Sequence, residues 1–158
     1  MTVARTRSRR ALIGLAAAAA VITGVAAAQA ADDPANVVKY RGMVMSALGA
    51  HIGSIASVIK GEVSYGPHVS THAQALHATS LMLTDVFPEG SGVGETRAKP
   101  EIWQEWEKFE GLINDLSTQT EKLAQVAEGG DMAAIGAQLQ ETGKACGNCH
   151  KPYREEKE

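Results

Sequence analysis

Residues 131–153 read DMAAIGAQLQETGKACGNCHKPY, and this stretch is the clearest indication of the architecture that the chain offers. Asp131 is one of the residue types that favour the position before a helix. Apolar and small side chains then recur at intervals of three and four residues, at Met132, Ile135, Leu139, Thr142, Cys146, Cys149 and Tyr153. Because this spacing keeps one stripe of side chains on one face of a helix, it predicts a helix that packs that face against other helices.

Three further helices are predicted upstream, over residues 33–60, about 66–85 and 100–129, each bounded by proline or glycine. The stripe of the first helix consists of Val38, Arg41, Met45, Leu48, Ile52, Ile55 and Ile59. The glycine-rich stretch 86–99 is expected to be a flexible crossing loop. Since the other connections are short, neighbouring helices should run antiparallel. We therefore predict an all-α fold, an up-down-up-down four-helix bundle.

The first thirty residues differ from the rest of the chain and indicate export. Four arginines precede an apolar run over residues 11–28, and Ala28-Gln29-Ala30 supplies the small residues that a signal peptidase requires. An uncleaved membrane anchor is the alternative interpretation. We predict a cleaved secretory signal peptide at 1–30, a single bundle domain at 31–158, and a periplasmic location.

The charge of the mature chain excludes some classes of partner. Removing the four arginines of the leader leaves 11 basic and 18 acidic side chains, a net charge of −7. A negative protein of this kind is not expected to bind nucleic acid or anionic lipid. A basic redox partner protein in the periplasm agrees with this charge.

Cys146-Gly147-Asn148-Cys149-His150 forms a C-x-x-C-H motif, the attachment signature of c-type haem. Two thiols at this spacing on a helix can each add to one vinyl group of the porphyrin, and His150 can then bind the iron from the proximal side. Both cysteines lie on the predicted inward stripe. The sequence therefore predicts one covalent haem c, with its iron, inside the bundle.

Other uses of the two cysteines are less well supported by the sequence. A zinc site would need two further ligands, and the remaining histidines, at 51, 68, 72 and 77, show no matching spacing. A thioredoxin-type pair normally lies in a βαβ context, and a disulfide across so short a span would add little stability.

Two residues on the first helix are candidates to face the haem. Arg41 lies on the inward stripe, where its guanidinium would either pair with a haem propionate or extend to the rim of the bundle. Met45 follows one turn later and could bind the iron from the distal side or simply fill space in the core. Met43 and His51 are weaker candidates for the distal ligand because both lie off the stripe.

The chain resembles the class II c-type cytochromes, the cytochrome c-prime family. The resemblance covers residues 32–158 and rests on Lys39-Tyr40-Arg41, Lys60-Gly61-Glu62, the run from Lys99 to Trp103, and the haem motif close to the C-terminus, followed by Tyr153-Arg154. It implies thioether links at both cysteines, His150 as proximal ligand, and Arg41 and Arg154 in the haem surroundings. Because family members are often homodimers packed through their first two helices, it implies that assembly as well.

Two functions remain open at this point. The first is a low-spin periplasmic electron carrier with one haem, ligated by His150 and Met45. The alternative is a high-spin cytochrome of the family, with pentacoordinate iron that binds nitric oxide or carbon monoxide and Met45 as a lid. A haem-free helical scaffold with metal-binding or redox cysteines is a third interpretation. Because the sequence shows no paired carboxylates, nucleophile–base arrangement or phosphate-binding loop, we do not expect an enzyme.

Overall fold

The computed structural model describes residues 32–156, which form a helical bundle. The helices are α1 (Pro34–Ile59), α2 (Val69–Ser80), α3 (Glu101–Gln104), α4 (Trp106–Glu128) and α5 (Met132–Tyr153). A single turn of 3-10 helix at Gly66–His68 leads into α2. The only β-type pairing in the described part of the chain is an isolated antiparallel bridge between Ala98 and Arg154. The predicted all-α, antiparallel four-helix bundle is confirmed, with α3 and α4 together taking the place of the third helix.

Two helix starts are fixed by aspartate caps, as the sequence indicates. The Asp33 carboxylate accepts a hydrogen bond from the Ala35 amide at 2.8 Å, and Asp131 accepts from the amides of Ala133 and Ala134. An aspartate in this position stabilises a helix by about 1 kcal/mol because it pairs amides that have no partner within the helix. The second of these caps fixes the start of α5, the helix that carries the C-x-x-C-H motif.

The predicted stripes form the core of the bundle. α1 packs on α2, α2 on α4, and α4 on α5, whereas α1 and α5 share few contacts. Side chains from all four long helices are buried together, among them Ile55, Leu76, Phe109, Leu123 and Ile135. Because α1 and α5 barely touch, the bundle is open between them.

Two of the predicted helices differ from the structure. The second helix ends at Ser80, five residues before the predicted end, and turns follow to residue 86. The third helix is interrupted at Glu105, whose backbone has φ −119° and ψ 41°. The carboxylate of Glu105 accepts a 2.7 Å hydrogen bond from the Tyr153 hydroxyl. This contact with α5 is tertiary, so the helical period could not have indicated it.

The crossing loop at 86–99 is packed against the bundle, contrary to the expectation of a free, flexible segment. The indole of Trp103 donates to the carbonyl oxygens of Phe87 and Pro88 at 3.1 and 3.0 Å. Val86, Phe87 and Ser91 are buried. The loop is therefore an ordered part of the bundle.

The first helix is long and apolar enough to cross a membrane by the criteria of length and composition. Four of its residues, Arg41, Val44, Leu48 and Ile55, are buried within the bundle. We therefore describe α1 as a bundle helix. The predicted signal peptide at 1–30 lies outside the described residues.

Candidate functional site

A cavity of about 610 Å³ lies between α1 and α5, where the two helices separate. All six residues singled out from the sequence line it: Arg41, Met45, Cys146, Cys149, His150 and Arg154. Its volume lies in the range of sites that hold a small molecule or cofactor. The structure therefore brings the C-x-x-C-H motif and the candidate distal residue, which are about a hundred positions apart in sequence, to one site.

The two cysteines lie in the last turns of α5, half-buried against the core. Both are free thiols, which speaks against the disulfide interpretation. Burial raises the pKa of Cys146, and burial together with the neighbouring Cys146 raises the pKa of Cys149 to about 11. Both side chains are thus neutral thiols at neutral pH, the form in which an S–H group adds across a vinyl double bond.

His150 is half-buried one position after the second cysteine. Burial lowers its pKa, and the positive charges of Arg154 and Arg97 lower it further. A neutral imidazole offers a free nitrogen lone pair, which is what an iron ion requires of a histidine ligand. The cavity thus holds His150 in the protonation state that suits a proximal ligand.

Residues 97–99 pair with residues 153–155 and form a short strap, which fixes the end of α5 beside His150. The Lys99 amide donates to the Tyr153 carbonyl at 3.0 Å, and the Glu155 amide donates to the Arg97 carbonyl at 2.8 Å. The Arg97 guanidinium in turn donates twice to the Glu155 carbonyl. Sequence reasoning missed Arg97 because it lies in the stretch interpreted as a flexible loop.

Arg41 is buried, with 4 % of its surface exposed, so the alternative in which it extends to the rim of the bundle is wrong. Its guanidinium donates to the Ser91 side chain and carbonyl and to the Thr96 hydroxyl at 2.9 Å, and to the Val86 carbonyl at 3.3 Å. It also lies 4.8 Å from the centre of the Phe87 ring. Among the described residues its partners are all neutral, so Arg41 anchors the 86–96 loop while one side of it lines the cavity.

Met45 is half-buried on α1 and lines the cavity, one turn after Arg41. The two weaker candidates for the distal position are not supported. Met43 is 55 % exposed and does not line the cavity. His51 also lies outside it, with its ring nitrogen against that of His72.

The lining of the cavity fits a haem. Most of the side chains around it are apolar and suit a porphyrin face, for example Leu48, Ile52 and Leu112. Three arginines, at 41, 97 and 154, line it together with one glutamate, Glu95. This excess of positive charge matches the two propionates of a haem. Within residues 32–156 no three His, Cys, Asp or Glu side chains gather around one point, so the zinc interpretation lacks ligands.

Comparison with known proteins gives a consistent result. The family model described as Cytochrome C' matches residues 36–154. A cytochrome c' of Rhodospirillum rubrum is 38 % identical over 141 residues, which cover 89 % of this chain and 95 % of that protein. The nitric oxide complex of a mutant cytochrome c prime from Alcaligenes xylosoxidans superimposes with a TM-score of 0.74 at 27 % identity, covering 81 % of this chain and all of the other. A carbon monoxide-bound variant of the same protein gives 0.72 at 27 % identity, over 78 % of this chain and 98 % of the other.

The family match spans three quarters of the chain and includes the C-x-x-C-H motif, the cavity residues on α1 and the strap except for Glu155. Members of this family hold one covalent c-type haem with its iron, in agreement with the cofactor that the motif predicts. Fold, cavity and sequence similarity together identify the chain as a member of the cytochrome c' family.

Proposed function

We propose that this protein is a high-spin periplasmic cytochrome that binds nitric oxide or carbon monoxide on the distal face of its haem. The observation that carries the proposal is the α1–α5 cavity, where His150 and Met45 line one space with mostly apolar walls. The solved relatives with nitric oxide and carbon monoxide bound support it. We therefore prefer this function over the electron carrier.

In this proposal Cys146 and Cys149 would hold the haem through thioether bonds, and His150 would bind its iron. The haem would supply the iron centre that takes up the gas. Burial lowers the pKa of His150, and Arg154 and Arg97 lower it further. Both arginines also line the cavity, where they can balance propionate charge. The strap between 97–99 and 153–155 fixes this end of α5 and so restricts movement of the His150 imidazole.

Met45 has the role of a lid on the distal face. Nitric oxide and carbon monoxide carry no charge, so an apolar wall of Met45, Leu48 and Ile52 accepts them without a polar partner, while it disfavours water and anions. Met45 thus limits access to the iron without closing it.

The low-spin electron carrier, with iron between His150 and Met45, is the second candidate. It is favoured by one observation, the presence of a thioether in the same cavity as the C-x-x-C-H motif. A fixed methionine ligand would raise the reduction potential and exclude gas from the iron. The two candidates therefore make opposite predictions for one residue.

Absorption and electron paramagnetic resonance spectra of the oxidised holoprotein distinguish them, with Met45→Leu as the matched variant because leucine cannot ligate iron. Our proposal predicts a high-spin spectrum in both proteins and carbon monoxide uptake by both reduced forms. A low-spin wild-type spectrum that becomes high-spin in Met45→Leu would instead establish the electron carrier.

Haem attachment is tested on the protein expressed in a host that matures c-type cytochromes. We expect the mass of the mature chain plus one haem, retained after acid–acetone extraction. Cys146→Ala and Cys149→Ala should each leave a single thioether bond, and the double variant should release its haem. His150→Ala should keep the haem covalently bound but change its spectrum. A wild-type chain with two unmodified thiols would overturn the proposal.

We also propose export and dimer formation. The leader at 1–30 supports cleavage and a periplasmic location, and N-terminal sequencing of the periplasmic fraction should find Ala31 first.

Large exposed apolar side chains on α1 and directly after α2, namely Tyr40, Met43, Leu81 and Met82, support a homodimer through the first two helices. Sedimentation equilibrium should give twice the chain mass, and a monomer at micromolar concentration would contradict this. We propose a binding role without catalytic turnover, and a basic periplasmic protein as redox partner.

A further inference from the structure

The imidazoles of His51 and His72 face each other across the α1–α2 packing, outside the haem cavity. Their Nδ1 atoms lie 3.0 Å apart, and the ring centres lie 5.3 Å apart with an angle of 52° between the planes. One histidine comes from the middle of α1 and the other from the first turn of α2. The proposed haem function uses neither of them.

The separation of the two nitrogens suits a shared metal ion. Two nitrogens bound at about 2.0–2.1 Å to one ion at a right angle lie about 2.9 Å apart, whereas tetrahedral geometry separates them by about 3.3 Å. The observed 3.0 Å is closer to the first value. Adjacent ligands at a right angle are typical of Cu²⁺, which also binds nitrogen ligands most tightly among the divalent first-row metals.

The surroundings keep the pair accessible and ready to bind. Both side chains are half-buried, and His72 lines a groove of about 430 Å³ that is open to solvent. None of the described residues lining that groove is a lysine or an arginine, so no cation there opposes a metal ion. Burial lowers the pKa of His51, and the charge of His72 lowers it further, which favours the neutral, ligating form.

We propose that His51 and His72 form a surface site for one Cu²⁺ ion per chain, separate from the haem iron. The imidazole that donates the shared proton changes tautomer as the ion binds: its Nδ1 loses the proton and its Nε2 takes one up. Both Nδ1 lone pairs then bind the ion, with no net release of protons from the neutral pair. Solvent fills the remaining positions of the ion. His68, one turn before His72, is not counted as a ligand because its ring is stacked on Tyr65 at 5.2 Å.

The test is a titration of the oxidised holoprotein with Cu²⁺, since the thioether bonds then occupy both cysteines and the haem iron occupies His150. Isothermal titration calorimetry should show one site per chain, with an affinity that falls at low pH, where protons compete with the ion for the imidazole nitrogens. The cupric electron paramagnetic resonance spectrum should show superhyperfine coupling to two nitrogens. The ion should also raise the Tm of the protein.

His51→Gln and His72→Gln should each lower the affinity at least tenfold and abolish the two-nitrogen coupling. This minimum follows because the loss of a residue that only hydrogen-bonds to a metal ligand already lowers metal affinity by about 10–100-fold. The loss of the ligand itself should cost at least as much. His77→Gln is the matched control, since this histidine also lies on α2 but has its Nδ1 against the Thr120 hydroxyl at 3.2 Å. Circular dichroism and the haem spectrum verify the fold of each variant.

Two results would overturn the proposal. One is a wild-type protein that binds Cu²⁺ no more tightly than the His51→Gln, His72→Gln double variant. The other is a loss of binding in His77→Gln equal to that in the two proposed ligand variants, because the effect would then arise from a general change in α2. Neither result would affect the haem proposal, because that proposal is tested by the spectrum of the haem iron in protein without added Cu²⁺.

Discussion

Replacing Arg41 with methionine tests whether this buried guanidinium organises the loop above the haem cavity. Arg41 makes four hydrogen bonds to neutral acceptors on residues 86–96, three of them at 2.9 Å. Methionine is unbranched and apolar, so it fills much of the space but leaves all four acceptors without their donor.

The expected loss follows from these contacts. Hydrogen bonds to charged groups contribute about 1.5–3 kcal/mol each. Part of this sum is offset because the variant no longer has to bury a charge, whereas each buried acceptor that is left without a partner costs about 1–3 kcal/mol. We therefore expect Arg41→Met to lower the free energy of unfolding by about 3–5 kcal/mol, with the 86–96 loop becoming the first site of proteolysis.

The assay is guanidinium unfolding of the holoprotein followed by far-ultraviolet circular dichroism, at one fixed protein concentration. Lys39→Met is the control, since Lys39 lies two residues earlier on α1 and is exposed. It should change stability by no more than about 0.5 kcal/mol. An Arg41→Met protein within about 1 kcal/mol of wild type, with an equally resistant loop, would refute the reasoning.

Three further predictions concern the packing around the site and are each measured by unfolding. Gly92→Ala places a Cβ 2.7 Å from Cζ3 of Trp103 and should lower the free energy of unfolding by about 1–3 kcal/mol. Gly111→Ala, with open space around the new Cβ, should instead raise the free energy of unfolding by about 0.5–1 kcal/mol. Equal effects of the two substitutions would contradict the close contact at Gly92. Burial, assisted by a neighbouring carboxylate, raises the pKa of Tyr153 to about 12, so folded protein keeps a proton that unfolded protein loses above its ordinary value of 10. Stability should therefore fall between pH 10 and about 12 in wild type, and a titration across that range should show a shallower fall in Tyr153→Phe; parallel curves would exclude this residue. Asp131→Ala should cost about 1 kcal/mol through loss of the cap of α5, and no change would mean that water replaces the cap.

The features that sequence reasoning predicted correctly are local or covalent in origin. The stripe of α5 repeats along one segment, so the period alone shows which face is buried, and Ile135, Thr142 and Tyr153 are indeed buried. The C-x-x-C-H motif carries its chemistry within five residues and needs no distant partner to be recognised. Met45 was found in the same way, because its helical register relative to Arg41 follows from the period.

Most of the errors and omissions concern contacts between distant segments. The partners of Arg41 are 45 to 55 residues away, on a loop that has no periodic pattern. Arg97 lies beside His150 only because the segment around it pairs with residues that follow α5. The His51–His72 contact likewise depends on how α1 and α2 pack.

The sequence by itself determined four helices, their inward faces and the attachment point of a haem, since each of these is set by spacing along a single segment. The tertiary structure alone decided what the buried arginine binds, where the third helix breaks, which cations surround His150 and that two histidines meet. The physical reason is that a helical period specifies which side of a helix faces inward, but not which side chain of another segment it will meet there.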